Sequence, residues 1–195
     1  MFRPIDDRDL MVRCGREQDR EAFEEVVRRW DRRILSFLAK GTGDLEAAED
    51  LRQEVFIRVY RFAASYDPRY AFATWLFRIA ANAMKTWQTK QVRRRELLLS
   101  PDPSGALADC PDDAPDQRER LAATQSGDHV RRLIARLEPE ERQVLLLRFE
   151  EEMSYREIGE VMGEPETTVK SRIYKLLFQL REQMQRAGIA ERTVD

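Results

Sequence analysis

Cysteine and histidine are scarce in this 195-residue chain, which has two cysteines and one histidine. Cys14, Cys110 and His129 belong to no CxxC or Cys/His motif of the kind that binds a structural metal. No phosphate-binding loop and no activated nucleophile accompany the acidic pair Glu140 and Glu141, which falls on a solvated helix face. The sequence therefore predicts neither an enzyme nor a protein that needs a metal or other cofactor.

Long apolar runs are also missing. No stretch approaches the roughly 18 consecutive apolar residues that a membrane-spanning helix needs. No basic segment followed by an apolar one, the pattern of a secretory signal, stands at the start of the sequence. We therefore expect a cytoplasmic protein with reduced thiols.

The residues that are abundant favour helices. Charged residues make up 36% of the chain and hydrophobic residues 42%, and Arg, Glu, Leu and Ala are frequent. Since 34 basic residues are balanced by 36 acidic ones, the net charge of -2 neither favours nor excludes a nucleic-acid partner. Whether the protein binds nucleic acid therefore has to be judged from how the charges are distributed along the chain.

Proline and aspartate mark a break in the chain. Four of the eight prolines and five aspartates lie within residues 100–117, where no Lys or Arg occurs. Such a segment is extended and solvated, and its simplest role is a tether. The sequence thus predicts an all-α protein with two small helical domains, residues 8–96 and 128–187, joined by a flexible acidic linker at 97–127.

Helical periodicity supports the first domain. Apolar residues recur with the 3.6-residue period, and Gly41 and Gly43 provide a stop before Asp44, a good N-cap. The three predicted apolar faces are Phe23, Val26, Val27, Trp30, Ile34, Phe37 and Leu38; Leu45, Ala48, Leu51, Val55, Val59 and Phe62; and Phe72, Trp75, Leu76, Ile79, Ala80 and Ala83.

The third of these helices lies in a segment without acidic residues. Residues 68–95 contain seven Lys or Arg and no Asp or Glu, and the aromatic residues Tyr70, Phe72, Trp75 and Trp87, with Tyr66 just before them, are interleaved with the cations. Rings that stack on bases and cations that follow the backbone suit single-stranded nucleic acid. Taken singly, Phe72 and Trp75 are each better explained as core residues, so the nucleic-acid reading rests on the pattern as a whole.

A polar stripe follows the second helix. Asp50, Gln53, Glu54 and Arg58 are spaced i, i+3, i+4 and i+8, beside the apolar face. Such a stripe is usually a solvated face. It can also dock a basic or hydrogen-bonding partner, and spacing alone leaves both readings open.

The C-terminal region has the pattern of a helix-turn-helix. A short helix through Val130 and Leu133 ends before Pro139, which opens a helix that places Val144, Leu145 and Phe149 on one side. Two further helices meet at Gly163, where a positive φ is expected, and Gly159 lets the two helices approach. The inward residues predicted for the last helix are Val169, Ile173, Leu176, Leu177 and Leu180.

The exposed start of that last helix mixes hydrogen-bonding and cationic side chains, as reading of a DNA major groove requires. The alternative is an ordinary helical hairpin with solvated basic residues. The residues in question are Thr167, Thr168, Lys170, Ser171, Arg172, Tyr174 and Lys175.

Three segments together resemble the extracytoplasmic-function sigma factors, the smallest members of the bacterial sigma-factor family. AEDLRQEVF (48–56) resembles their core-polymerase-binding motif, FATWLFRIAANAMKTW (72–87) their promoter-melting and minus-ten-reading helix, and residues 137–175 their minus-thirty-five-reading domain. The resemblance runs from about Asp9 to Met184. It implies a subunit that directs core RNA polymerase to promoter DNA, commonly held inactive by an anti-sigma factor.

The resemblance also implies roles for particular residues. Asp50, Gln53 and Glu54 would bind core polymerase. Minus-ten DNA would be held by Tyr66, Arg69, Phe72, Trp75, Asn82, Lys85 and Thr86, with a flipped base in a pocket that uses the Asn82 amide. Minus-thirty-five DNA would be contacted by Arg148, Arg156, Thr168, Lys170, Ser171, Arg172, Tyr174 and Lys175. The acidic linker would pass near the nascent RNA.

Two positions depart from the family pattern. Thr86 stands where many relatives have Asp or Asn, which affects base preference, and Glu166 suits the dipole of its helix but repels phosphate if it faces DNA. A different class of protein, a stand-alone helix-turn-helix regulator with an N-terminal dimerisation or sensing module, shares the C-terminal features. Residues 48–56 and the acid-free segment favour the sigma factor, because a protein that reads only duplex needs neither.

Overall fold

The computed structural model describes residues 5–99 and 132–186. Within these ranges the secondary structure is helical, with no strand, which confirms the all-α prediction. In chain order the helices are α1 (Asp7–Glu17), α2 (Arg20–Thr42), α3 (Leu45–Phe62), α4 (Phe72–Leu99), α5 (Pro139–Phe149), α6 (Tyr155–Met162) and α7 (Glu166–Arg186). We call residues 5–99 the N-terminal unit and residues 132–186 the C-terminal unit. The predicted acidic linker and Cys110 fall largely or wholly outside the described residues.

Local capping sets the boundaries of α2 and α3. The Asp19 carboxylate accepts a hydrogen bond from the Ala22 amide at 2.9 Å and begins α2. Gly43, with φ +74°, ends it. Asp44 then accepts from the Ala47 amide at 3.0 Å and begins α3. The predicted stop at Gly43 and the predicted N-cap are therefore confirmed, whereas Gly41 lies inside α2.

The N-terminal core is built around aromatic side chains from α2 and α4. Phe37 and Phe77 are 1% and 0% exposed and meet edge to face, with ring centroids 5.1 Å apart. Trp30 packs in the same way against Phe72 at 5.5 Å. The predicted apolar faces of α2, α3 and α4 are thus largely confirmed. They are wrong at the two ends of α3, because Leu45 and Phe62 are 60% and 52% exposed.

Helix α1 was not predicted as a separate element. It packs on the core through Leu10, Met11 and Cys14, three residues too few to give a clear period in so charged a segment. Gln18 closes α1 in the left-handed conformation, with φ +51°. Burial raises the pKa of the Cys14 thiol, so this cysteine is a protonated core residue.

Capping boxes begin both α5 and α6. Glu138 pairs reciprocally with Glu141 around Pro139, and Ser154 pairs with Glu157. Gly163 ends α6 with φ +72°, as predicted. The buried residues Val144, Ile158, Val169, Ile173 and Leu176 join α5, α6 and α7.

Three residues on the predicted apolar faces of α5 and α7 are not fully buried. Phe149 and Leu177 are 58% and 39% exposed, and Leu180 is only partly covered. The period fixes the direction of an apolar face, but a face is buried only as far as another element lies against it. Val130, predicted for the helix before Pro139, lies outside the described residues, and residues 132–135 are helical.

The two units pack against each other. One continuous cluster of buried side chains runs from Val26 and Phe77 in the N-terminal unit to Val144 and Ile158 in the C-terminal unit. Helix α4 contacts α6, and α2 contacts α5. Each helix in the described ranges is too short or too polar to traverse a lipid bilayer.

Candidate nucleic-acid interface

One face of α4 is buried and the opposite face is polar and cationic. Leu76, Phe77, Ala80 and Met84 turn inward and are fully buried. The exposed side carries a stripe with helical spacing, made of Arg78, Asn82, Lys85, Thr86, Thr89, Lys90 and Arg93. Asn82, Lys85 and Thr86, predicted from the sequence to act together, are therefore neighbours on one turn of this stripe.

Hydrogen bonds within the stripe leave some groups available and occupy others. The hydroxyl of Thr86 donates to the Asn82 carbonyl at 2.9 Å, and that of Thr89 donates to the Lys85 carbonyl at 3.0 Å. The side-chain amide of Asn82 makes no hydrogen bond within the described ranges, so it can donate and accept at the edge of a base.

The turn before α4 is braced by its own side chains. The Tyr66 hydroxyl donates to the Tyr70 carbonyl at 2.8 Å, and burial raises the pKa of Tyr66 to about 12, so the donor keeps its proton. The Asp67 carboxylate accepts from the Arg69 side chain at 2.8 Å and from its backbone amide at 3.0 Å, and these bonds lower the pKa of Asp67. The charge of Arg69 is thus largely balanced inside the turn.

The predicted aromatic residues divide into two groups. Tyr66 and Phe72 are 7% and 3% exposed and form an edge-to-face pair with ring centroids 5.9 Å apart. They therefore support the exposed residues of the site from within the core. Trp75 is partly exposed and packs on Tyr66 at 5.3 Å. Tyr70, one of the aromatic residues of this segment to which the sequence assigned no separate role, offers solvent a ring at 52% exposure.

A groove runs beside these rings. It has a volume of about 590 Å³ and is lined by the turn, by α4 and by α6, through Asp67, Tyr70, Thr74, Trp75, Arg78 and Arg156. Ser65 and Glu160 complete the lining, so rings and hydroxyls meet there with two guanidinium groups and two carboxylates. The groove thus combines rings that can stack on bases with charges of both signs.

The polar stripe on α3 lies on the surface. Asp50, Gln53 and Glu54 are exposed, and Glu54 pairs with Arg58 one turn later. Ile57, which is 58% exposed, adds an apolar side chain one turn from Gln53 and Glu54. Ile57 was not among the predicted site residues, although its position next to a polar stripe is a usable signal. These residues form a mixed patch, which we call the α3 patch.

In the helix-turn-helix, the beginning of α7 is open to solvent. Thr167, Thr168, Lys170, Ser171, Tyr174 and Lys175 are exposed along it. Arg172 is different, because its guanidinium donates to Glu164 at 2.8 Å and is largely covered. A ligand of Arg172 therefore has to compete with an ion pair.

Arg148 and Arg156 also lie near this motif. Arg148 donates to the Met153 carbonyl at 2.9 Å and lies over the Tyr155 ring, 5.1 Å from its centroid, so it braces the loop before α6. Arg156 is exposed and pairs with Glu160 at 3.3 Å. In residues 5–99 and 132–186 no cluster of three or more potential metal ligands occurs.

Fold and surfaces together define a helical protein with two candidate nucleic-acid-binding faces, one basic and aromatic and one in a helix-turn-helix. Family models match both units: "Sigma-70 region 2" over residues 26–94 and "Sigma-70, region 4" over residues 128–177. The chain belongs to the extracytoplasmic-function sigma factors, which are transcription-initiation factors and not enzymes.

Individual relatives agree over most of the chain. The RNA polymerase sigma-H factor of Pseudomonas aeruginosa is 32% identical over 179 residues, covering 87% of this chain and 89% of its own. The ECF sigma factor RpoE of Cereibacter sphaeroides is 31% identical over 176 residues, covering 90% and 93%. A solved structure of the sigma factor RpoE with the anti-sigma factor NepR from Bartonella quintana has the same fold, with a TM-score of 0.63 at 19% identity over 85% of this chain and 98% of that one.

Proposed function

We propose that this chain binds core RNA polymerase in the cytoplasm and selects promoters by reading two DNA elements in two different states. Residues 8–96 bind polymerase and hold the melted minus-ten strand, and residues 128–187 read the duplex minus-thirty-five element. The observation that carries the proposal is the exposed stripe of Asn82, Lys85 and Thr86 on a helix whose segment, residues 68–95, lacks any acid. A stand-alone duplex reader needs no such stripe.

The minus-ten site is proposed to work in layers. Tyr66 and Phe72 hold the turn and the start of α4 in place, since both are buried. Trp75 offers a ring edge to an unpaired base, Asn82 reads the base, and Lys85 attracts the phosphates. Arg69, paired with Asp67, acts mainly by holding the turn in place. Thr86 has a hydroxyl engaged by its own helix, so it contributes shape more than a hydrogen bond.

The minus-thirty-five site is proposed to centre on the exposed residues of α7. Thr168, Lys170, Ser171, Tyr174 and Lys175 enter the major groove or its edges. The three arginines act around them. Arg156 reaches phosphate from an exposed position, while Arg148 and Arg172 act mainly by fixing the loop and the turn that position α7.

Replacing Asp50 and Gln53 together by Ala should weaken binding to core polymerase by about tenfold or more, because both side chains are exposed and adjacent in the α3 patch. The fold should be unchanged. Co-purification with core enzyme and a titration of labelled protein measure the effect. Glu24→Ala, which removes an exposed carboxylate from α2, serves as the control, and normal assembly of the double variant would count against the α3 patch as the docking site.

Lys175→Ala should impair recognition of the upstream element by about 1–3 kcal/mol if Lys175 reads a base. If it touches phosphate, binding should instead weaken evenly across sequences and lose about one unit of salt slope. Base-resolved footprints on matched and altered upstream elements, repeated at several salt concentrations, distinguish the two. Equal footprints for variant and wild type would remove Lys175 from the interface.

Run-off transcription with purified core polymerase on a promoter library tests the proposed function directly. The protein should produce start sites that share two sequence elements, and absence of any start site would overturn the proposal. Because one structural relative was solved with an anti-sigma factor, we also propose that a protein of that class restrains this chain.

A further inference from the structure

Helix α1 contains none of the residues proposed to bind polymerase or DNA. Its inward side is nevertheless joined at two separate places to the elements that carry the minus-ten site. Asp7, in the first turn of α1, is bonded to α2, and Gly15, in the last turn, lies against the short turn that follows α3. Each of these contacts continues towards the minus-ten site.

The first contact is a hydrogen bond between two helices. The indole nitrogen of Trp30 donates to the Asp7 carboxylate at 3.0 Å, and the other oxygen of that carboxylate accepts from the Arg29 guanidinium at 2.8 Å. Trp30 is only 6% exposed, and a buried indole N–H needs an acceptor. Asp7 therefore fixes the orientation of a large ring in the core.

This ring lies against the start of α4. Trp30 and Phe72 meet edge to face, with ring centroids 5.5 Å apart. The Phe72 centroid is in turn 5.9 Å from that of Tyr66 and 6.1 Å from that of Trp75. Because aromatic pairs have preferred geometries, a rotation of one ring displaces the next. Trp30 and Phe72 thus form a ring path from α1 to Trp75, the partly exposed ring of the minus-ten site.

The second contact is a close approach of two backbones. A Cβ at Gly15 would lie 2.6 Å from the carbonyl oxygen of Ala63 and 2.9 Å from the Cα of Ala64. Both belong to the 3₁₀ turn Ala63–Ser65, which leads directly to Tyr66. The Tyr66 amide donates to the same Ala63 carbonyl at 3.1 Å. The absence of a side chain at Gly15 therefore sets how closely α1 packs on the backbone that begins the minus-ten turn.

We propose that α1 positions the minus-ten site, and that Asp7 and Gly15 are positioning residues for capture of the melted strand. The inference rests on the proposed function of that site. Asp7 acts on Phe72 through the Trp30 ring. Gly15 acts on the turn through the Ala63 carbonyl. Since neither residue touches DNA in this proposal and α7 is untouched, their loss should impair strand opening while closed-complex binding is kept.

The three tryptophans report on the ring path in the full chain without any DNA. Their indole N–H resonances are recorded by NMR and assigned by replacing each tryptophan in turn by Phe. Asp7→Ala should shift the resonance of Trp30, which loses its acceptor, and that of Trp75, at the end of the path. Trp87, about 18 Å farther along α4 by helix rise, should not shift. A shift confined to Trp30 would end the path in the core and overturn the proposal.

Asp7→Ala should also lower open-complex formation by about tenfold, which is what a charge-assisted hydrogen bond is worth at the low end of its range. Permanganate reactivity on a promoter found by run-off transcription measures opening, and a gel shift at low temperature measures the closed complex. Asp9→Ala is the matched control, because it removes an exposed carboxylate from the same first turn of α1. Equal losses of closed and open complexes would indicate lowered stability alone and would refute positioning.

A double-mutant cycle separates the indole bond from the ion pair of Asp7 with Arg29. Trp30→Phe removes the N–H and keeps an aromatic ring beside Phe72, so it should reduce opening by a similar factor. Adding Asp7→Ala to Trp30→Phe should then cost little more, because both changes remove the same bond. A full second loss would show that Asp7 acts through Arg29 or through its charge, and the ring path would be wrong.

Gly15→Ala tests the second contact. The added carbon has to push α1 or the Ala63 carbonyl aside, so opening should fall while the closed complex is kept. Thermal unfolding identifies a temperature at which the variant is fully folded, and both complexes are measured there. Arg16→Ala changes the exposed next residue of α1 and should behave as the wild type. Unchanged opening by Gly15→Ala would overturn the role of Gly15.

The wild type separates this inference from the proposed function. If the wild type opens no promoter with core polymerase, the proposed function fails, and the positioning role fails with it. If the wild type opens promoters and Asp7→Ala and Gly15→Ala do so equally well, α1 only stabilises the fold, and the proposed function stands.

Discussion

Replacing Gly159 by Ala should lower the free energy of unfolding by about 1–3 kcal/mol, the usual cost of forcing an extra carbon into a packed site. A Cβ at this position would lie 2.6 Å from the carbonyl oxygen of Glu164. That backbone cannot move freely, because the Glu164 amide donates to the Gly159 carbonyl at 2.9 Å. The higher helix propensity of Ala, up to about 1 kcal/mol, offsets only part of the clash.

The effect should extend to duplex binding. Glu164 also anchors Arg172 at the start of α7, so a displaced turn re-aims the exposed residues of that helix. Urea denaturation gives the stability, and a gel shift on an upstream-element duplex gives the binding. We expect both to fall together.

Gly163 provides the matched control in the same turn. It has φ +72°, and a Cβ added there would meet no atom within 4 Å. Gly163→Asn therefore meets only the conformational cost, which is small for Asn at under about 1 kcal/mol. A Gly159→Ala protein as stable as the wild type would mean that the turn can shift without penalty. The sequence predicts that the small size of Gly159 allows the second helix to approach. In the structure it is the backbone carbonyl of Glu164, in the turn, that approaches Gly159 closely.

Helix ends were predictable because their signals are local. Asp44 caps α3 through an amide three residues away, and Gly43 and Gly163 end helices by their own positive φ. The all-α class and the two units follow from such signals together with the 3.6-residue period. Neither depends on contacts distant in sequence.

Burial at helix ends and contacts across the molecule were not predictable in the same way. Phe149 and Leu177 continue apolar faces in sequence but lie where no described element covers them. Arg33 and Glu151, which pair across the two units, are separated by 118 positions. No period or cap relates residues so far apart, so the packing of the two units becomes visible only in the structure.

The candidate minus-ten site was predictable in part. Composition alone marked residues 68–95, since an acid-free basic segment is conspicuous in a chain with a net charge of -2. Composition could not tell which rings face solvent. Tyr66 and Phe72 lie in the core, while Tyr70 and the stripe through Asn82 do not.

Replacing Asn82 by Ala should reduce open-complex formation by about 5- to 150-fold, equivalent to the roughly 1–3 kcal/mol that a good amide contact with a base contributes. The Asn82 amide is exposed and makes no hydrogen bond inside the described ranges, so its removal leaves no buried group unsatisfied. Stability should therefore stay near that of the wild type. Permanganate reactivity of unpaired thymines measures strand opening.

Closed-complex binding, measured by gel shift at low temperature, should change little, because the duplex reader α7 is untouched. Thr89→Ala is the control on the same stripe, since its hydroxyl is already engaged by the Lys85 carbonyl. On a promoter melted in advance by mismatches, the Asn82→Ala protein should still bind more weakly than the wild type, because the contact is with the unpaired base itself. Equal losses in closed and open complexes would assign Asn82 to duplex contact, and the division of labour between the two units would have to be redrawn.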